Sequence, residues 1–427
     1  MTVNQITINP KGPIKGQIKI LPDKSISHRA VMLSAIARGT SRIQNFLFAQ
    51  DTLATVNAIR SLGITIETEG DTIVVNGQGL YGLQEAHDVI NCGNSGTTCR
   101  ILSGILAGQK FNTFLTGDVS LRNRPMKRII DPLTLMGAHI EYRNTGFLPL
   151  MIKGGSLIAI DFISPIASAQ VKSSILFAAL FSYGQTSVTE PAKSRDHTER
   201  MMKSAGIDIH QNRLTINLNS GKEPEPFDMI VPGDFSSAAF FIAAATIVND
   251  SELLIKNVGI NPTRTGLIDI LTKMGARLGF ENEHEINGEP IADIFVQSRH
   301  LKGIEIDGEL LLRAIDEFPI LCVLASVSNG RTIIRGASEL RVKESDRIHT
   351  MATELIKMGA VITELEDSLI IDGVEILKGS KVHSYGDHRV AMALAIAAHV
   401  AKGKTIIDDI ECVNTSFPGF FKILQSL

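Results

Sequence analysis

Along the chain, polar loops bearing hydroxyls or charges alternate with nearly all-apolar stretches, each followed by a glycine or polar turn and a β-branched run. Six segments share this order: KSISHRAVMLSAIARGTSRI, GTTCRILSGILAGQKFNTFL, SAQVKSSILFAALFSYGQTSV, DFSSAAFFIAAATIVNDSELLI, DEFPILCVLASVSNGRTII and GDHRVAMALAIAAHVAKGKTII. The apolar runs are rich in Ala, Ser and Leu and show no polar face, which predicts helices buried on every side. A second kind of segment reads as an amphipathic helix closing on a glycine and continuing as a strand: VNAIRSLGITIE, IIDPLTLMGAHIEY, MMKSAGIDIH, LIDILTKMGARLGF and TELIKMGAVITEL, with FKILQSL as a shortened copy at the end. Short alternating strands follow most of them, namely DTIVVNG, LPLMIKGG, RLTINLN, ADIFVQS and DSLIIDG.

The closing glycines Gly63, Gly137, Gly206, Gly275 and Gly359 recur at intervals of roughly 70 residues, the length of one complete unit. Two helices and a few strands per unit, six times over, predict an α/β architecture of small layered units. Three of the buried helices would bundle in each half of the chain. The natural division is an inserted domain of residues 22–231 with three repeats and a second domain of residues 1–21 plus 232–427, with the boundary near Met229 to Gly233. The N-terminal strand before Leu21 is expected to complete the last unit of the second domain.

Composition narrows the function classes. Of 427 residues 44% are apolar, only 5% are aromatic and none is Trp, which predicts an aliphatic core and argues against disorder. A formal charge of −3 offers no general attraction to nucleic acid or to an acidic membrane, so recognition of anions must come from local clusters. The most apolar windows, such as Val390 to Ala401, run about a dozen residues against the ~20 that a membrane span needs. The four cysteines, Cys92, Cys99, Cys322 and Cys412, lie in no metal-binding spacing, and the N-terminus has no charged-then-apolar leader pattern; reduced thiols, a cytoplasmic location and no metal are expected.

Candidate chemistry collects in the loops that lead into the buried helices: Lys24, Ser25 and Arg29; Asn94, Ser95, Gly96, Thr97 and Arg100; Ser168, Gln170 and Lys172; Asp316 and Glu317; Asp387, His388 and Arg389. Other loops add Arg122, Arg124, Arg195, His197, Lys343, Glu344 and Arg347. A helix N-terminus presents unpaired N–H groups and partial positive charge, so several such ends with Arg and Lys make an anion site without metal. Gly96 would let the backbone approach a ligand closely. Each motif alone has a plainer explanation: N-capping by Ser25 or Ser27, a polar helix start for SAQVKSS, caps for Asp316 and Glu317, a tight turn with a satisfied histidine for GDHR. For RVKESDRIHT it is an exposed helix with i,i+3 and i,i+4 ion pairs. Joint placement at equivalent loops favours one shared site.

LPDKSISHR, GNSGTTCR, LRNRPM, SAQVKS, DEFPIL, RVKESDR and YGDHRVAM, in this order and at these separations, resemble the EPSP synthase (3-phosphoshikimate 1-carboxyvinyltransferase) family of enolpyruvyl transferases over essentially the whole chain. The resemblance implies two similar domains, each of three βαβαββ units in the inside-out α/β barrel manner, with the active site in the cleft between them. It implies transfer of the enolpyruvyl group of phosphoenolpyruvate (PEP) to the 5-hydroxyl of shikimate 3-phosphate. The products are 5-enolpyruvylshikimate 3-phosphate and phosphate, on the way to chorismate and the aromatic amino acids. No cofactor or metal, a monomeric state and inhibition by glyphosate are implied as well.

By matching motif, the catalytic candidates are Asp316 as proton acceptor, Glu344 for proton transfer to the PEP methylene, and Lys24 near the reacting centre. Shikimate 3-phosphate would meet Lys24, Ser25, Arg29, Ser168, Gln170, Ser194, Asp316 and Lys343. PEP would meet Lys24, Asn94, Gly96, Arg124, Gln170, Arg347 and Arg389. Two departures from the family pattern stand out: CVNTSFPGFF has no lysine near Asn414 or Thr415, and SRDHTER carries Arg195 where other relatives carry tyrosine. The alternatives are a UDP-N-acetylglucosamine enolpyruvyl transferase, whose Pro-Gly-Gly-Cys loop is not found here, and a phosphometabolite-binding protein without activity.

Overall fold

In the computed structural model, which describes residues 4–427, the chain divides into two compact units. One comprises residues up to Leu21 with Gly233–His284 and Pro290–Leu427; the other comprises Pro22–Pro232 with Glu285–Glu289.

The Pro22–Pro232 unit holds three four-stranded sheets of one design. In each, a short first strand runs parallel to a second, a hairpin strand pairs antiparallel with that second strand, and its hairpin partner lies at the far edge. The strands are Asp228–Ile230, Arg38–Gln44, Thr72–Gln78 and Thr65–Glu69 in the first sheet. They are Ile90–Asn91, Asn112–Thr116, Phe147–Lys153 and His139–Arg143 in the second. In the third they are Asp161–Ile163, Gln185–Thr189, Thr215–Asn219 and Ile209–Asn212. The first sheet therefore takes its opening strand from the far end of the unit.

The other unit repeats the design with Lys15–Lys19, Glu252–Gly259, Glu289–Gln297 and Arg277–Ile286, and again with Glu305–Ile306, Arg331–Ile334, Leu369–Asp372 and Val361–Glu364. Its last sheet sets Lys381–His383 parallel to Thr405–Asp408 and completes it with Gln5–Ile8. The N-terminal segment thus supplies two strands where one was expected. Gln5–Ile8 joins the last sheet and Lys15–Lys19 the first, so the chain's beginning is stitched into both ends of this unit's repeat series.

The six apolar runs are helices: Lys24–Ala35, Gly96–Ala107, Ala169–Ala179, Phe235–Ile247, Phe318–Ser326 and His388–Val400. Five begin on a side-chain cap, with Asp23, Ser95, Ser168, Asp234 and Asp387 each accepting an N–H of the first turn. Asp23 therefore does what Ser25 or Ser27 would have done. The Phe318–Ser326 helix has no side-chain cap from Glu317 and carries instead a proline, Pro319, in its first turn, where a fixed φ is suited.

Helices of one unit pack on each other: Lys24–Ala35 and Ala169–Ala179 each on Gly96–Ala107, and Phe235–Ile247, Phe318–Ser326 and His388–Val400 mutually. The approach is close enough at Gly104 that a Cβ there would lie 2.1 Å from the Ser174 carbonyl oxygen. The amphipathic helices end as their sequence implies, with Gly63, Gly137, Gly206, Gly275 and Gly359 at φ of 80 to 95°. Because each buried helix opens at one end of a repeat, the motif residues ride on its first turn.

Candidate active site

In the Pro22–Pro232 unit, three helix starts carry a cluster of cations. Lys24, first residue of its helix, pairs with Asp51 at 3.0 Å. Arg29, one turn on, is buried and held on three sides: Nε donates to Thr198 Oγ1 at 2.7 Å, Nη1 to the Ser25 carbonyl at 3.0 Å and Nη2 to Ser173 Oγ at 3.1 Å. The Ser173 and Thr198 hydroxyls are themselves 2.6 Å apart. Between Lys24 and Arg29, His28 Nδ1 meets Thr55 Oγ1 at 2.6 Å, and a run of hydroxyls continues through Thr98 to Ser95, the cap of the Gly96 helix. Burial, and then the charges of Lys24 and Arg29, hold the His28 imidazole well below its ordinary pKa, so it is neutral.

At the Gly96 helix start, the missing side chain faces two guanidinium groups. A Cβ on Gly96 would sit 3.4 Å from Arg100 Nη1 and 3.6 Å from Arg124 Nη1. Arg124 donates to Asn94 Oδ1 at 2.6 Å and to Ser120 Oγ at 3.1 Å, and the Asn94 amide reaches Asp118 at 2.7 Å. Arg100 donates to Gln170 Oε1 at 2.6 Å, while Gln170 Nε2 donates to Thr97 Oγ1 at 3.1 Å. Asn94, Gly96, Arg124 and Gln170 thus form one contiguous patch, with Arg100 as a member outside the expected PEP set.

Ser168 serves as the cap of the Gln170 helix, and its hydroxyl proton stays available to an outside acceptor. Ser194 is buried, and its hydroxyl has no hydrogen-bond partner among the described residues. Lys172, in contrast, is a structural charge: its ammonium lies 2.7 Å from Glu190 and 2.8 Å from Glu199, all three being buried.

The second cluster belongs to the Gly233–Leu427 portion of the other unit and centres on Arg347. This guanidinium is buried and touches three carboxylates: Glu344 at 2.7 Å, Asp387 at 2.8 Å and Asp316 at 3.6 Å. RVKESDR is therefore no exposed helix. Its helix opens only at Arg347, capped by Asp346, and the decisive partners stand 31 and 40 residues away in sequence. Arg389 closes the group, with Nη2 3.3 Å from the Asp316 carboxylate and Nη1 donating to the Asp316 carbonyl at 3.0 Å. Glu317 accepts from Ser236 and also stands 3.9 Å from Arg389 Nη1.

Burial pushes the Asp387 carboxyl up, but Arg347 overcomes this and holds it below the usual range, so Asp387 is ionised. Burial lowers the Lys343 pKa, Asp316 pulls it back and Arg347 pushes it further down; the net shift is downward. The arrangement can do two things: bind several anionic groups through Lys and Arg, and exchange protons through carboxylates held at fixed positions.

Thr415 donates to the Cys412 carbonyl at 2.7 Å and lies 3.4 Å from His388 Nδ1, whereas Asn414 is exposed; no cation stands at either position. Asp51, Ser173 and Thr198 are absent from the sequence-based candidate set. Their partners are 27, 144 and 169 residues distant, and no local signal marks them.

A family model described as EPSP synthase (3-phosphoshikimate 1-carboxyvinyltransferase) matches residues 8–424. A relative named 3-phosphoshikimate 1-carboxyvinyltransferase from Thermodesulfovibrio yellowstonii is 55% identical over 97% of each chain, and one of the same name from Geobacter metallireducens is 51% identical over 99% of this chain and 98% of its own. Among solved structures, EPSP synthase from Acinetobacter baumannii superposes with a TM-score of 0.88 at 44% identity, covering 99% of this chain and 98% of its own. The enolpyruvyl transferase NikO from Streptomyces tendae, at 18% identity and a TM-score of 0.81 over 100% of this chain and 98% of its own, shares the fold.

Proposed function

The chain belongs to the EPSP synthase family, and on that premise we propose that it transfers the enolpyruvyl group of PEP to the 5-hydroxyl of shikimate 3-phosphate and releases phosphate. The observation that carries this reading is near end-to-end identity of about half with relatives so named.

The 5-hydroxyl oxygen bonds to C2 of PEP while C3 takes a proton; C3 then returns a proton as the C2–O bond to phosphate breaks. That sequence needs a base, an acid and fixed cations for several negative charges. We assign the base to Asp316, which Arg347 and Arg389 keep in place, and the acid to Glu344, paired with Arg347 at 2.7 Å. An incoming carboxylate or phosphate on Arg389 would compete with Asp316 for the same guanidinium and so loosen the base at the moment of use. Arg124, Gly96, Asn94 and Gln170 with Lys24, Arg347 and Arg389 form the PEP set; Arg29, Ser25, Ser168, Ser194, Gln170 and Lys24 with Asp316 and Lys343 form the shikimate 3-phosphate set. Arg100, bonded to Gln170, extends the first.

Cysteine chemistry of the kind a UDP-N-acetylglucosamine transferase would bring finds no support. Cys92, Cys99 and Cys322 are buried, and burial pushes the Cys412 thiol up to about 12. The test is phosphate release from PEP with the two acceptors offered in parallel. Turnover is expected with shikimate 3-phosphate alone, and turnover with the nucleotide sugar alone would overturn the reading.

The same reading brings competition by glyphosate against PEP, a monomeric state and a cytoplasmic location. Among the described residues no helix is long and apolar enough to cross a membrane. For glyphosate the support is Gly96. In Gly96→Ala the new methyl lies at ordinary contact distance from Arg100 and Arg124, so folding is preserved, yet it fills the space before both guanidiniums. One methyl in such a pocket costs about 1–3 kcal/mol. The KM for PEP is expected to rise by roughly tenfold or more and glyphosate inhibition to weaken at least as far; unchanged inhibition would remove Gly96 from the subsite.

A further inference from the structure

One hairpin joins the sheet of one unit by its strands, Arg277–Ile286 and Glu289–Gln297, while its tip, Glu285–Glu289, groups with the other. The turn is Asn287-Gly288, both at positive φ (52° and 79°), the geometry that an Asn-Gly hairpin turn requires. Polar contacts hold this tip. The Asn287 side chain donates to the Asp228 carbonyl at 2.8 Å and accepts from the Ile230 N–H at 3.2 Å. The Gly288 carbonyl accepts from Arg200 Nη1 at 2.6 Å. Glu289 Oε1 meets His197 Nδ1 at 2.7 Å, both side chains being buried.

His197 and Arg200 belong to the helix His197–Ser204. Asp196 at its N-cap makes no side-chain capping bond; its carboxylate is instead paired with Arg200 at 2.9 Å and Lys193 at 3.4 Å. A cavity of about 650 Å³ lies beside the loop, walled in part by Lys193, Asp196, Arg200, Lys203, Glu285 and Gly288. Yet this loop sets substrate contacts, for Thr198 follows His197 directly and orients Arg29, and Ser194 lies three residues before it.

We propose that Glu289, through His197, is a positioning residue for the acceptor substrate: the hairpin tip fixes the Ser194–Thr198 loop and thereby the aim of Arg29. This rests on reading Arg29 and Ser194 as ligands of shikimate 3-phosphate. Removing the carboxylate takes away the bond it makes with the buried imidazole and loosens the loop. The consequence is expected to be selective, because these contacts are with the Asp228–Ile230 strand and the His197 helix and not with the PEP patch around Gly96.

The experiment is steady-state kinetics of full-length Glu289→Ala, Glu289→Gln and Asn287→Gly, with thermal unfolding as a control of folding. Glu289→Ala is expected to raise the KM for shikimate 3-phosphate by about tenfold to a hundredfold, with kcat and the KM for PEP within about twofold, the scale of one lost bond in a buried pair. Glu289→Gln, which still accepts from Nδ1–H, is expected to restore most of the loss. Asn287→Gly keeps the turn while deleting two contacts and serves if Glu289→Ala does not fold; a several-fold rise in the same KM is expected. Equal losses for both substrates, a fall confined to kcat, or wild-type constants in Glu289→Ala and Asn287→Gly would each overturn the proposal. If instead the unaltered protein neither binds nor turns over shikimate 3-phosphate, the functional reading falls first and this inference falls with it.

Discussion

Asp316→Asn lowers kcat by roughly 10²-fold or more, the scale expected when a general base is lost, while the protein stays folded and the KM for PEP does not rise. The substitution is nearly isosteric, and the Asp316 carbonyl that accepts from Arg389 Nη1 at 3.0 Å is untouched, so the turn before the Phe318 helix keeps its anchor. What disappears is a negative charge 3.6 Å from Arg347 and 3.3 Å from Arg389. Both guanidiniums are then less neutralised from within the protein and remain as ready for an anionic substrate as before. The split between kcat and KM separates the base from a mere clamp. A variant with near-normal kcat would remove Asp316 from proton transfer, and one whose KM for PEP rises more than tenfold at unchanged kcat would reassign it to shaping the anion subsite.

How much of this was legible in advance depends on the range of the interaction. The buried helices and their glycine-closed partners follow from local periodicity and capping, and the structure has them where the pattern repeats; Gly275 is a left-handed C-cap as the LTKMGARLGF segment implies. Apart from the strand before Leu21, the short parallel strands that open the sheets were not legible, because two or three residues such as Ile90–Asn91 carry no period and owe their pairing to a neighbour. In the site, residue types at helix starts pointed to anion chemistry, but which cations are spent internally did not show. Lys172 reads like Lys24 in sequence, yet Lys172 is enclosed with two buried carboxylates while Lys24, at the helix start, pairs with Asp51. The Asn287-Gly288 turn did have a local signal, an Asn-Gly pair between alternating strands; its contact with the His197 loop had none, being 92 residues away.

The internal charge of Lys172 gives the largest expected effect on stability. Burial alone would lower its pKa, but Glu199 and Glu190 outweigh burial and the ammonium stays charged. Glu199 is shifted upward by the same burial, with Lys172 opposing. Lys172→Met keeps most of the side chain's volume and leaves two buried carboxylates without their cation, a loss of ~3–5 kcal/mol. For a domain of this size that is a fall in Tm on the order of 10 °C. The pH dependence follows from the direction of the shift. With Lys172 gone, the main opposition to burial at Glu199 is lost, and its folded-state pKa moves further above its unfolded value. A carboxyl raised in this way favours the folded state below its unfolded pKa and loses that contribution as pH rises through the folded one. The Tm deficit of Lys172→Met relative to the unaltered protein is therefore expected to be greatest near pH 8 and to shrink toward pH 5. Adding Glu199→Gln should recover part of the deficit at pH 8, since it removes one of the stranded charges. A deficit independent of pH, or no recovery in the double variant, would mean that Lys172 contributes packing and not charge. Lys172 also donates to the Ser194 carbonyl at 3.4 Å, so the same ion group that stabilises the unit steadies the loop through which the acceptor substrate is held.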